Sequence, residues 1–341
     1  MMKILIVRSW GRTVFELGEY CKKSFTEIGH NADLFTYNDE RISSRLPFLR
    51  NIERGIVKKS LIKKISDFRP QLVLVVKGDR IPLELIREIK EKFKIPVANY
   101  WIDDPDSIEV SRKISPAYDY FFTNDPDAVQ IHKESGCPHV GSISFGCLPD
   151  LHKKIQLSQE EYEKYGSDIC FAGTVTEGRI KVLEVLSDFN LKAWSPRFVH
   201  SPKENFRIEK TKLPPSSPLY SKFTDRSVWN EELVKVYNAS KIVLNIHSWH
   251  TVPNMRDFEV TGCAAFLLTE YAKHLVTMFK PGKEIICYKN IEELKDIVKF
   301  YLSHPREREE IARKGYLRAH QNHTYARRME ELISFIGKEK T

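Results

Sequence analysis

The chain has 341 residues, too many for one ordinary hydrophobic core and enough for two domains. Hydrophobic residues make up 41% and charged residues 29%, which excludes a disordered or fibrous chain. The net charge of +8 comes without zinc-finger spacing, a nucleic-acid-binding motif or interleaved aromatic and basic residues, so nucleic acid is not an expected partner.

No apolar run reaches membrane-spanning length, and the opening Met-Met-Lys-Ile-Leu-Ile-Val-Arg reads as a first buried strand rather than a leader. In the first half, strands are expected at 3–7, 71–76, 97–102, 118–123 and 140–145. A helix over 13–28 puts Val14, Leu17, Cys21, Phe25 and Ile28 on one face, with Gly29 as its stop. Another opens at Pro82 and buries Leu85, Ile86, Ile89 and Phe93. Residues 50–69 form a basic helix carrying Arg54, Lys58, Lys59, Lys63 and Lys64 beside an apolar stripe of Ile52, Ile56, Leu61, Ile62 and Ile65. Such a helix covers a core, faces an anionic substrate or makes peripheral contact with an anionic membrane.

The alternation pauses after Pro149 and restarts with strands at 168–172, 191–194, 241–246, 266–268 and 284–288. Helices are expected at 179–186, 230–239, 291–302, 305–321 and 325–337. The stretch 195–228, rich in proline, serine and basic residues, reads as irregular. Strands separated by helices imply an α/β chain of two tandem Rossmann-like domains. The expected divisions are 1–150, a linker over 151–166, 167–324, and a final helix over 325–341. The six cysteines (Cys21, Cys137, Cys147, Cys170, Cys263 and Cys287) have no CxxC or zinc spacing and read as reduced core residues of a cytoplasmic protein.

Ligands of doubly wound sheets bind beyond the carboxyl ends of the strands. Three such ends in the second half carry polar groups. Gly173-Thr174-Val175-Thr176-Glu177-Gly178-Arg179 is a glycine turn into a helix N-terminus, suited to phosphate. Asn245-Ile246-His247-Ser248 is the second, with His250 just beyond. The third, Asn254 to Glu270, puts Arg256 and Glu259 on one face of a helix before the small residues Gly262, Cys263, Ala264 and Ala265. Arg256 is a fork for phosphate and Glu259 an acceptor for vicinal hydroxyls, and a nucleotide offers both. The alternative is a solvated Arg/Glu pair. In the first half, Asp103 and Asp104 follow a strand and are candidate bases or backbone caps, while Trp10, Gly11 and Arg12 shape an acceptor site or form a tight turn.

The segments Ser240 to His247, Arg256 to Thr269, Phe279 to Ile285, Pro305 to Gly315 and His323 to Tyr325 resemble the CgeB-like (spore maturation protein) glycosyltransferases of the GT-B superfamily, over about residues 166 to 335. Tyr100 to Pro105 and Phe121 to Asp125 agree more loosely. The resemblance implies two Rossmann-like domains facing a cleft, an acceptor-binding first domain and a nucleotide-sugar-binding second domain. It also implies a last helix that crosses back to the first domain. On it, Gly173, Thr174, Arg179, Asn245, His247, Asn254, Arg256 and Glu259 bind the donor. Related enzymes carry two glutamates eight apart, of which Glu259 matches the ribose-binding second, while Thr251 stands at the first. Asp103, Asp104 and His247 are the catalytic candidates. No metal or cofactor is implied, and the expected partners are a nucleotide sugar and a glycan, lipid-linked or protein acceptor. A nucleotide-sugar epimerase of the same fold, or a non-catalytic nucleotide-sugar-binding protein, would use the same donor residues.

Overall fold

A computed structural model of the chain describes residues 1–9, 12–38, 48, 50–202, 208–247 and 251–339. It divides into two compact units, residues 1–145 with 325–341, and residues 146–324.

The first unit runs β1 (Lys3–Ser9), α1 (Arg12–Glu27), β2 (Asn31–Tyr37), α2 (Arg50–Phe68), β3 (Leu72–Val76), α3 (Leu83–Phe93), β4 (Val97–Tyr100), α4 (Ile108–Ile114), β5 (Tyr120–Thr123), α5 (Val129–Glu134) and β6 (His139–Ser142). The sheet order is β2-β1-β3-β4-β5-β6, parallel throughout. Continuous apolar runs make its central strands because both faces are covered, and Leu5, Val7, Val73, Val75, Val97 and Phe121 are buried together. On α1, Leu17, Cys21 and Phe25 are buried, and Gly29 adopts φ +86° where the helix stops. The edge strand β2 escapes the sequence reading because only one of its edges is paired and most of its residues are partly exposed.

The second unit runs α6 (Gln159–Tyr165), β7 (Ser167–Ala172), β8 (Val175–Thr176), α7 (Glu177–Val185), β9 (Leu191–Trp194), β10 (Phe198–Pro202), β11 (Ile208–Lys212), α8 (Asn230–Ala239), β12 (Ser240–Asn245), α9 (Met255–Gly262), β13 (Leu267–Glu270), α10 (Leu275–Met278), β14 (Ile286–Tyr288), α11 (Ile291–Ser303) and α12 (Pro305–Asn322). Its main sheet is parallel, in the order β14-β13-β12-β7-β9. Ile169, Phe171, Ile242, Leu244, Leu268 and Ile286 lie at its centre. The last helix, α13 (Tyr325–Lys338), groups with the first unit: Tyr325 packs on Tyr20 and Phe335 on Phe122, each with ring centroids 5.3 Å apart.

Two expectations change. Residues 151–166 are part of the second unit: α6 is closed by a Ser158/Glu161 capping box, and Asn238 bonds the backbone of Lys153 and Ile155. The stretch 195–228 is also built. β10 and β11 form an antiparallel hairpin beside β8, and Arg197 ties its base by bonding Asp225 and the carbonyls of Tyr220 and Phe223. Leu213, Leu219 and Phe223 enter the core behind it.

Candidate functional site

The turn after β7 and the N-terminus of α9 meet in the second unit. Asn254 caps α9 by accepting from the Arg256 amide at 2.9 Å, and Asp257 closes the box by accepting from the Asn254 amide at 2.9 Å. The cap therefore fixes where Arg256 starts. Its guanidinium lies over the Phe171 ring at 5.9 Å and donates from Nη1 to Asn245 Oδ1 at 3.2 Å. A Cβ at Gly173 would lie only 2.3 Å from Arg256 Nη2. Glycine is needed there because the guanidinium occupies the space any side chain would fill. The structure thus brings Gly173 and Arg256, separated by 83 positions in sequence, into contact.

Glu259 is not a solvated partner of Arg256. It is buried, with Tyr237 Oη donating to Oε2 at 3.5 Å. Burial first, and then the Glu259 carboxylate, push the Tyr237 phenol up, while Arg256 pulls it back. Arg256, Glu259 and Tyr237 thus share one neighbourhood. The small residue after this helix has a packing cause as well: a Cβ at Gly262 would lie 2.8 Å from that of Cys147 and 2.9 Å from that of His152.

Beneath Arg256 lies a buried polar hub that the sequence reading missed. Asp257 is fully buried and accepts from Asn245 Nδ2 at 2.7 Å, Thr269 Oγ1 at 3.1 Å and the Asn254 amide, while His247 Nε2 lies 2.8 Å from Oδ2. Burial raises its carboxyl, but His247 and the bound donors hold it below the ordinary carboxylate value. Its only sequence signal is its place three residues after the cap. Asn245, expected on the donor, is also fully buried and instead orients Arg256 and Asp257.

Arg179 needs a similar correction. Its guanidinium is turned inward, donating to the Ile246 carbonyl from Nε at 3.2 Å and Nη2 at 2.9 Å, and to the Thr174 carbonyl from Nη1 at 2.7 Å. It clasps the end of β12 to the Gly173 turn rather than reaching a phosphate. Thr174 is exposed, and Thr176 caps α7 by accepting from the Arg179 amide. His247 follows the clasped carbonyl. Its side chain is buried, and its Nδ1 has no hydrogen-bond partner among the described residues. The buried hydroxyl of Thr251 is likewise unpartnered among them.

In the first unit the two aspartates part company. Asp104 is buried and accepts from Ser111 Oγ at 2.6 Å and Thr123 Oγ1 at 2.7 Å, with His132 Nε2 at 2.9 Å. Three of its about four lone-pair sites are thus engaged inside the fold. Asp103 is half-buried in a 2.6 Å ion pair with Lys77 beyond the carboxyl end of β3. Trp10, Gly11 and His250 lie outside the described residues, as does the side chain of Arg12, the first residue of α1. On α2, Leu61 and Ile65 are buried, but Ile52 and Ile56 are 61% and 60% exposed. The apolar stripe is therefore split between core and surface. No helix of the described residues is long and apolar enough to cross a membrane.

Residues 186–334 match the family described as glycosyl transferase-like. The chain is 27% identical over 274 residues to the spore protein CgeB of Bacillus subtilis, covering 75% of this chain and 79% of that protein. Its fold is similar to that of sucrose-phosphate synthase from Thermosynechococcus elongatus, with a TM-score of 0.69 at 11% identity, over 99% of this chain and 100% of that one. It is also similar to Anabaena HepE in its complex with UDP and glucose, with a TM-score of 0.65 at 11% identity and the same coverage. A further HepE structure, with UDP-glucose, gives a TM-score of 0.66 at 10% identity over 99% of this chain and 100% of that one.

Proposed function

We propose that this chain is a CgeB-like glycosyltransferase that transfers a sugar from a nucleotide-sugar donor, with the following residue roles. The second unit takes the donor. Arg256 and the amides of the Gly173 turn bind the diphosphate, Thr174 borders it, and Glu259 accepts from the ribose hydroxyls. Asn254, Asn245, Asp257 and Arg179 hold these groups in place without touching the ligand. The single observation behind this reading is the seating of the Arg256 guanidinium in the space left by the missing Cβ of Gly173. A leaving nucleoside diphosphate gathers charge as the glycosidic bond breaks, and a fixed guanidinium beside backbone amides stabilises that charge in the transition state. On this reading the enzyme works without a metal.

The first unit takes the acceptor, a glycan, lipid-linked or protein hydroxyl. Asp103 is the group there with a carboxylate to deprotonate it, since Asp104 is buried and held by three internal partners, and Trp10, Gly11 and Arg12 border the acceptor. The exposed Ile52 and Ile56, with Lys59 and Lys63 further along α2, support peripheral contact with an anionic membrane surface from the cytoplasmic side.

A thermal-shift screen with UDP, GDP, TDP, ADP and CMP tests the donor assignment. UDP is the first choice because HepE is seen with UDP and UDP-glucose. A rise in Tm with one nucleoside diphosphate supports the assignment, and no shift with any of the five overturns it.

A further inference from the structure

Glu259 meets a side chain from another helix. It sits one turn after Arg256 on α9 and is buried. Tyr237, 22 positions earlier on α8, directs its phenol at it, and Oη donates to Glu259 Oε2 at 3.5 Å. Tyr237 is 1% exposed, and Glu259 is the one hydrogen-bond partner of its hydroxyl among the described residues. A hydroxyl carried into a core costs free energy unless it is bonded, and phenylalanine would fill nearly the same space without that cost. The hydroxyl therefore has one task in the fold, which is to meet Glu259. It keeps its proton and stays a donor, because burial first, and then Glu259, push the phenol well above its ordinary value.

The length of the bond matters. O–H···O bonds are commonest at about 2.7–2.8 Å, so a contact of 3.5 Å orients the carboxyl group without saturating it. Two vicinal hydroxyls need two acceptor positions in a fixed plane, whereas a glutamate turns about three side-chain bonds. Fixing that side chain in advance removes an ordering cost from binding. Arg256 pulls on the same phenol with the opposite sign, so Tyr237 lies within electrostatic reach of both groups assigned to the nucleotide. We infer that Tyr237 is the positioning residue that holds Glu259 in the geometry that accepts from the ribose hydroxyls. The preference for a ribonucleotide then runs through a side chain that does not touch the ligand. This rests on the assignment of Glu259 to the ribose proposed above.

Calorimetric titration of UDP and of 2′,3′-dideoxy-UDP, which lacks both hydroxyls, into wild type, Tyr237→Phe, Glu259→Ala and the double variant tests it. Wild type is expected to prefer UDP by about tenfold or more, and Glu259→Ala to erase the preference. Tyr237→Phe should weaken UDP about three- to tenfold, the value of one ordinary hydrogen bond, and leave the dideoxy ligand within about twofold of wild type. The double variant should bind UDP as Glu259→Ala does, because the phenol acts only through the carboxyl group. A phenol that served stability alone would lower Tm and leave the ratio of the two Kd values as it is in wild type. That ratio in Tyr237→Phe overturns the inference, as does equal weakening of both ligands or a further loss in the double variant. If Tyr237→Phe does not fold, 3-fluorotyrosine in place of Tyr237 keeps the hydroxyl and reports on it. Its fluorine resonance should move with UDP and not with the dideoxy ligand, and the same response to both overturns the inference. Failure of the ribose assignment looks different: wild type without a preference, or a preference that Glu259→Ala retains, takes Glu259 off the ribose and this inference with it. Wild type that binds neither ligand overturns the donor assignment as a whole.

Discussion

Gly173→Ala puts the proposed diphosphate grip under direct strain. The new methyl would stand 2.3 Å from Arg256 Nη2, 2.9 Å from Cζ and 3.1 Å from Nε. Ordinary contact needs about 3.5 Å, so the guanidinium must retreat by about 1 Å. It is the far end of a flexible side chain, so the clash is relieved by moving Arg256 rather than by unfolding. The φ of +152° at Gly173 adds backbone strain of order 1–3 kcal/mol for alanine, a drop of several degrees in Tm at most. A charge-assisted hydrogen bond to phosphate contributes about 1.5–3 kcal/mol, so its loss weakens nucleotide binding about 10- to 150-fold. Calorimetry with wild type, Gly173→Ala, Arg256→Ala and the double variant reads this out. If alanine acts through Arg256, adding it to Arg256→Ala leaves the Kd unchanged. Nucleotide affinity at the wild-type level in Gly173→Ala, or fully additive losses in the double variant, would refute the reasoning.

Four further outcomes are expected. Glu259→Ala should weaken nucleotide binding about tenfold to a hundredfold, because an ionised carboxylate that accepts from ribose hydroxyls makes charge-assisted bonds, and matched calorimetric Kd values would sink that role. Arg179→Met should act chiefly on stability, by about 3 kcal/mol or more in urea unfolding, because it strips donors from the Ile246 and Thr174 carbonyls; loss of affinity at unchanged stability would restore Arg179 to the ligand. Burial, and secondarily His320, hold His152 down from 6.5 to about 3, so the unfolded chain takes up this proton first. The His152 contribution is full above about pH 6.5 and is lost as pH falls toward 3, the loss amounting to about 2 kcal/mol by pH 5. His152→Asn, which keeps an acceptor for the Leu148 amide, should flatten that part of the urea-midpoint profile between pH 7.5 and 5. Glycosyl transfer should persist in EDTA, since Arg256 and backbone amides serve the diphosphate; activity lost in EDTA and restored by Mn²⁺ or Mg²⁺ would contradict this.

The sequence by itself determined the α/β alternation, because continuous apolar runs such as 72–76 and periodic faces such as Leu17, Cys21 and Phe25 are local consequences of burial. It also marked Gly173, Arg256 and Glu259, since turn glycines, caps and charged residues at strand ends have local signatures. Burial agrees with reading the cysteines as core thiols: Cys21 and Cys170 are pushed up to about 12. Tertiary structure decided what each polar group does. Arg179 and Arg256 look alike in sequence as arginines near strand ends, yet one is clamped by the Ile246 carbonyl and the other lies over Gly173. Asp103 and Asp104 are neighbours, yet a half-buried ion pair takes one and three buried donors take the other. Asp257 passed unnoticed between Arg256 and Glu259 because its partners, Asn245, His247 and Thr269, come from β12, the residues just after it, and β13. Side-chain hydrogen bonds are short-ranged in space and indifferent to sequence distance, so only the folded sheet could assign them.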